Sequence, residues 1–435
     1  MKNLKPMLLG FLFIFYGCSK DESEEPNPDP TGDEEPEMVT YFTFEVALST
    51  AETDNWIIIH DKDGELLDYR EFEAGDSLIF DIQEKKLPDN LTISLFTYDN
   101  SSFGNMRHTI KSYPEIQIGS NWNFGPYPEY DPVTFRDQTG SFDISVNNAV
   151  SPRYETFSDK DGHIYTKQGL DNGVKDQVSH LDVRLNEYNN IFYTFYDSDN
   201  ESKYFFIEDI SDEDIIEVDY SEFNFYDYYL EVDIPISNPV AYNLYVVVQA
   251  FEDNQSYSIG GGIYTTLIDT SALAPNPIKI GYLDLYSRYR TRFSFGSDVY
   301  EYDYEKYGVK PENISIPKNA SFTIADQSFS NYQFITNLDY QMKDVQWEVK
   351  EGVPLVNRIQ TTWNVISSPY FSGTIGEIPE EIQQTYPNLR VGNLNLISTS
   401  LHLDFLSYPD LIHQEFIEPE LKAIYDSHEI FRFYH

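Results

Sequence analysis

Between residues 226 and 234 apolar and charged side chains alternate. Tyr226, Tyr228, Leu230, Val232 and Ile234 share one parity, and Asp227, Glu231 and Asp233 the other. A period of two is the signature of a half-buried strand. Leu244 to Ala250 is apolar on both parities except at Gln249, which predicts a central strand. Trp56 to His60 is rich in isoleucine and runs into Asp61-Lys62-Asp63-Gly64, after which Leu66 and Leu67 resume the apolar pattern. Asp and Gly at such positions predict a tight turn between two strands. Helical signals are few. Pro379-Glu380-Glu381 predicts a short helix ending before Pro387, and Pro419 a second running to about Ser427. The pattern predicts an all-β, mainly antiparallel fold with a few short helices.

Three collinear matches recur at an offset of 98 residues. Phe44-Glu45-Val46 returns as Phe142-Asp143-Ile144, and Asp61-Lys62-Asp63-Gly64 as Asp159-Lys160-Asp161-Gly162. Ile93, Tyr98 and Asp99 return as Ile191, Tyr196 and Asp197. That period is too long for a solenoid and suits tandem β-sandwich domains, immunoglobulin-like or transthyretin-like. The expected organisation is a first sandwich over 39–138 and a second over 139–236. A β-rich C-terminal region follows over 237–435, as one or two subdomains. Tyr229 to Ile234 is a candidate opening for a third, divergent unit, and Ile278-Lys279-Ile280-Gly281 echoes Ile116-Gln117-Ile118-Gly119.

The N-terminus has a different character. Lys2 and Lys5 precede an apolar run from Met7 to Tyr16, broken only by Gly10. That run is about half of the roughly 20 residues that span a bilayer as a helix, so it reads as a secretory signal over 1–17. The chain's single cysteine, Cys18, follows at once. Phe15-Tyr16-Gly17-Cys18 resembles a bacterial lipobox, with aromatic Phe15 where an aliphatic residue is usual. The resemblance implies that the Cys18 thiol is acylated and becomes the mature N-terminus. Ser19-Lys20-Asp21-Glu22-Ser23-Glu24-Glu25 resembles the acidic export tag of Bacteroidota surface lipoproteins. It implies an outer-membrane, cell-surface location with the membrane contacted through lipid. Residues 18–38 then form a tether. Its acids and prolines cannot bury a core, and its extended reach is about 60 Å. With Cys18 given to lipid, the folded part has no disulfide and no cysteine metal site.

The net charge is −44 at pH 7, from 29 basic and 73 acidic side chains. Removing residues 1–18 removes two lysines and no acid, which makes it more negative still. Such a chain disfavours nucleic acid and anionic membranes. It leaves neutral or cationic ligands, a neutral glycan among them, and an outer-membrane transporter as a partner. The 35 tyrosines and 30 phenylalanines argue against an acidic disordered chain.

Catalytic signatures are missing from the sequence. It has no H-E-x-x-H, no G-x-S-x-G and no phosphate-binding glycine loop followed by lysine. His402 and His413 fit no metal template. Asp61, Asp63 and Glu65 lack the glycine and distal glutamate of a calcium loop, as do Asp197, Asp199 and Glu201. No cofactor or metal is expected, and the expected role is non-catalytic binding of a glycan or an envelope partner, with an extracellular polysaccharide-acting enzyme or a structural or adhesive surface protein as the alternatives. The candidate ligand contact is the segment 121–132, NWNFGPYPEYDP, whose Trp122, Phe124, Tyr127 and Tyr130 could stack on sugar rings. The alternative is a compact loop packing its own rings. A second candidate is the stripe Arg288, Arg290 and Arg292. A Gly296-Ser297 hairpin turn would neutralise it, pairing Arg292 with Glu301, Arg290 with Asp303 and Arg288 with Glu305.

Overall fold

The computed structural model describes residues 37–48, 53–100, 105–125, 137–149, 152–159, 164–168, 177–187, 189–197, 202–235, 243–252, 264–270, 277–354, 356–404, 406–418 and 427–435. The signal, Cys18, nearly all of the tether, Tyr127, Tyr130, Asp199 and the second helix predicted from Pro419 lie outside them. The described residues are predominantly strand, in sheets rich in antiparallel pairs, with few helices.

The 98-residue offset coincides with a repeat of strand order. The first unit comprises β1 (Met38–Val46), β2 (Asp54–Asp61), β3 (Leu66–Phe72), β4 (Ser77–Gln83), β5 (Asn90–Asn100), β6 (Met106–Gln117) and β7 (Ser120–Phe124). β1 pairs antiparallel with β4 and parallel with β7, while β3, β2, β5 and β6 lie side by side. The second unit comprises β8 (Gly140–Asn147), β9 (Pro152–Asp159), β10 (Ile164–Gln168), β11 (Gln177–Leu185), β12 (Ile191–Asp197), β13 (Ser202–Ile207) and β14 (Ile215–Asp219). β8 pairs antiparallel with β11 and parallel with β14, and β10, β9, β12 and β13 lie side by side. Every element of the first unit has its counterpart in the second, in the same order and direction.

The four-strand order occurs twice more. After β15 (Asn224–Phe225) come β16 (Tyr228–Val232), β17 (Asn243–Phe251), β18 (Tyr264–Thr270), β19 (Ile278–Tyr282), β20 (Arg288–Gly296) and β21 (Tyr300–Gly308). Here β18, β17, β20 and β21 are neighbours and β16 pairs with β19. This third copy opens at β16, upstream of residue 237. Ile278 lies on β19, the counterpart of β4, so its echo of Ile116 on β6 is not a structural match. The last copy follows β22 (Phe322–Asp326) and β23 (Gln333–Thr336). It uses β24 (Met342–Glu351), β25 (Ile359–Ser367), β26 (Asn395–His402) and β27 (Ser427–Tyr434), in the order β25, β24, β26, β27. Helix α1 (Glu380–Thr385) falls where Pro379 predicts it. Helix α2 (Tyr408–Ile412) runs into a π-helical turn, His413–Ile417, and neither was predicted.

Three of these four-strand blocks fuse into one twelve-stranded sheet. β21 pairs antiparallel with β27, and β25 pairs parallel with β6. The last block thereby bridges the third unit to the first. In the first unit, Phe42, Phe44 and Phe80 of the small sheet share a core with Ile57, Ile59, Ile93 and Leu95 of the large one. Burying each such side chain contributes about 1.5–3 kcal/mol. The opposite face of the last block packs Val345, Trp347 and Trp363 under Ile375, Ile378, Ile382 and Tyr386, which belong to the segment carrying α1.

The arginine hairpin forms, in a different register. Arg292 lies opposite Glu305 and Gly296 opposite Glu301, which leaves residues 297–299 as the connection to Tyr300, the first residue of β21. The Ser297 hydroxyl accepts the N–H groups of Val299 and Tyr300 at 3.2 and 3.1 Å, and this cap favours the longer turn over the predicted two-residue one. The change along β21 is an even number of residues, so every side chain keeps its face. The ion pairs become diagonal: Arg290 to Glu305 at 2.5 Å and Arg292 to Asp303 at 3.7 Å. Glu301 turns instead to Arg432 at 3.2 Å. Arg290 and Arg292 are neutralised within the sheet; the predicted pairing of Arg288 with Glu305 does not form, because Arg290 takes Glu305 and Arg288 donates to the Glu252 carbonyl at 3.1 Å.

Candidate functional site

Trp122 does not present a ring to solvent. It is 0% exposed on β7 and stacks on Phe416 of the π-helical turn, with ring centroids 4.0 Å apart and planes 6° apart. Phe42 and Tyr113 meet its edges at 5.5 and 5.7 Å. Phe124 is half-buried against Phe44 and Phe72. The sequence reading of a sugar-stacking platform at Trp122 and Phe124 is therefore corrected. Parallel pairing with β1 turns this stretch into a strand and sends its rings into the core.

The acidic turn is a turn. The Asp61 carboxylate accepts the N–H groups of Asp63 and Glu65, each at 2.9 Å, and Gly64 adopts φ +85°. No group of three metal-binding side chains gathers among the described residues.

That turn stands beside a cleft of about 840 Å³. Alternation along β2 points Trp56, Ile58 and His60 to the face that α1 covers. Gly64 then rests on the segment 374–376: a Cβ there would lie 3.2 Å from Thr374 Cγ2 and 3.4 Å from Gly376 Cα. Gly376 is itself compelled, because any Cβ would overlap the His60 ring. His60 is 1% exposed, and its Nε2 lies 2.9 Å from the Glu377 carbonyl oxygen. A carbonyl only accepts, so Nε2 carries the hydrogen. Burial lowers the His60 pKa, against smaller opposing pulls from the Glu377 carbonyl and Asp61. The ring is thus neutral at pH 7, and Nδ1 is an acceptor with no hydrogen-bond partner among the described residues.

The floor is aromatic. Phe329 is half-buried, with its ring 4.5 Å from Trp363 and 5.0 Å from Trp347. The Trp363 indole N–H donates to the Ser112 hydroxyl at 2.8 Å, and Ser112 is linked to Ser94 at 2.7 Å. This satisfied chain fixes the indole from beneath. The rim is polar: Ser330, Glu377, Glu380 and Gln383 are exposed. Glu380 and Glu381 occupy the first turn of α1, where the helix dipole favours carboxylates. Tyr69 donates to Glu381 at 2.7 Å and Trp56 Nε1 to Tyr386 at 3.3 Å, which tie α1 to β2 and β3.

A second buried polar group lies in the second unit. Glu155 pairs with His180 Nε2 and accepts from the Tyr193 hydroxyl at 2.8 Å. All three side chains are at most 2% exposed. Burial, and then the Glu155 charge, raise the Tyr193 pKa well above its ordinary value. These groups are closed off in a core and hold strands β9, β11 and β12 together.

His60, Glu377, Phe329, Trp363 and Gln383 were not singled out from the sequence, since no local motif joins them. Compared with family models and with curated proteins, the chain matches none.

Proposed function

We propose that this chain is a lipid-anchored lipoprotein of the outer-membrane surface, and that it holds a saccharide in the cleft between β2 and α1 without acting on it. The lipobox ending at Cys18 and the acidic segment after it support the anchor and the location. The tether lifts the folded part clear of the headgroups. The paired sheets of the first two units suit an immunoglobulin-like or transthyretin-like β-sandwich scaffold.

The observation that carries the binding reading is the cleft's construction. An aromatic and aliphatic floor with a few polar rim groups is how sites for small ligands are built, and its volume falls in the usual range of about 300–1,000 Å³. Sugar rings offer apolar faces to Phe329 and hydroxyls to the rim. A binding role is favoured over hydrolysis because the two rim carboxylates, Glu377 and Glu380, both belong to one short wall segment. A glycosidase flanks the scissile bond with its pair.

Two measurements test this. Calorimetry of the fragment from residue 37 onward against a saccharide panel is expected to show binding. Phe329→Ala is expected to weaken it by about 1 kcal/mol or more while circular dichroism stays unchanged. No binding by any saccharide, or full affinity in the variant, overturns the cleft reading. For the anchor, Cys18→Ser is expected to abolish incorporation of radiolabelled fatty acid, and undiminished labelling would remove the lipobox.

A further inference from the structure

Resting on the cleft reading above, we infer that the preferred ligand carries a protonated amine: the cleft selects a saccharide with a free ammonium group over its N-acetylated counterpart. The argument is a count of donors and acceptors. Among the described residues the cleft is lined by two exposed carboxylates, Glu377 and Glu380, and by no lysine or arginine. Gln383 gives one of its two amide N–H groups to the Ile378 carbonyl at 2.7 Å, which leaves its oxygen and its second N–H for a ligand. His60, 1% exposed in the cleft wall, has committed its Nε2–H to Glu377. Its Nδ1 is a buried acceptor with no donor among the described residues. His60 therefore stiffens the wall behind the carboxylate rim and offers a ligand no donor.

The two carboxylates only accept, whereas Gln383 and the hydroxyls of Ser330 and Thr374 both accept and donate, so the charged rim decides the preference. An ammonium supplies three donors and a positive charge. An N-acetyl group supplies one donor, brings an acceptor of its own, and adds bulk. A uronate adds charge repulsion against the two carboxylates.

The test uses the fragment from residue 37 onward and trisaccharides of glucosamine, N-acetylglucosamine and a uronic acid, measured by calorimetry. The glucosamine trimer is expected to bind about tenfold more tightly than the acetylated one, the scale of one charge-assisted hydrogen bond against a neutral one. The uronate is expected not to bind. Glu377→Gln with Glu380→Gln should erase the preference while the acetylated trimer still binds. Glu208→Gln with Glu217→Gln, an equal charge change at exposed positions of the second unit, should preserve it. Equal or tighter binding of the acetylated trimer overturns this inference and leaves the cleft as a saccharide site. So does a preference that survives the cleft variant or is lost in the remote one. Failure of all three trimers to bind overturns both.

Discussion

Replacing Trp122 with alanine is expected to destabilise the folded fragment by about 3–5 kcal/mol, the range for emptying a buried aromatic site. The ring is enclosed on several sides. Phe416 covers its face, and Phe42 and Tyr113 hold its edges. Asn123 Nδ2 adds a bond to the Ile417 carbonyl at 3.1 Å, so β7 and the π-helical turn are tied beside the stack. Losing the indole leaves a cavity that these elements cannot close without breaking strand pairing. Domains are stable by roughly 5–15 kcal/mol, so the loss is a large fraction of the whole. Urea unfolding followed by far-UV circular dichroism checks it. An unchanged midpoint would mean that the ring is not part of the core, and would return Trp122 to the surface role that its sequence context suggested.

Glu155→Ala is expected to cost a similar amount, about 3–5 kcal/mol, for a different reason. The variant leaves the His180 ring and the Tyr193 hydroxyl in the core without the acceptor they share. Removing one partner of a buried network costs more than the network's net contribution, because the survivors stay desolvated. Glu155→Gln keeps an acceptor oxygen and is expected to lose clearly less. The same unfolding experiment separates the two. Equal losses for Ala and Gln would show that a neutral oxygen of the same size cannot replace the carboxylate, and would contradict the account of a simple shared acceptor.

Local pattern carried the sequence reading as far as local physics reaches. Phe44 and Phe142 fall on β1 and β8, Asp61 and Asp159 on β2 and β9, and Ile93 and Ile191 on β5 and β12. Each repeat mark thus falls on a counterpart strand, although Ile93 pairs with Ile59 and Ile191 with Asp159, two residues out of step with the offset; the marks are readable because strand alternation and turn chemistry are written within a few residues. The third and fourth copies keep the strand order without those marks, and only the pairing of β17 with β20 and of β24 with β26 exposes them. The hairpin at Ser297 shows a finer limit. Gly296 suggests a tight turn, but the serine hydroxyl caps a longer one, and a change by an even number of residues keeps the same faces. The cleft was illegible for a plain reason. His60 meets Glu377 across 317 positions of sequence, and Trp56 meets Tyr386 across 330. Trp122 misled because aromatic rings among prolines look alike whether they face water or a phenylalanine from the far end of the chain.

Hydrogen exchange of the fragment from residue 37 onward, with and without the tightest-binding saccharide from the panel, tests the central claim most directly. The account predicts slower exchange over residues 374–383 and at Phe329 and Ser330, with β7 and the arginine hairpin unchanged. Protection confined to the hairpin strands β20, β21 and β27, or to β7, or no protection at all, would contradict it.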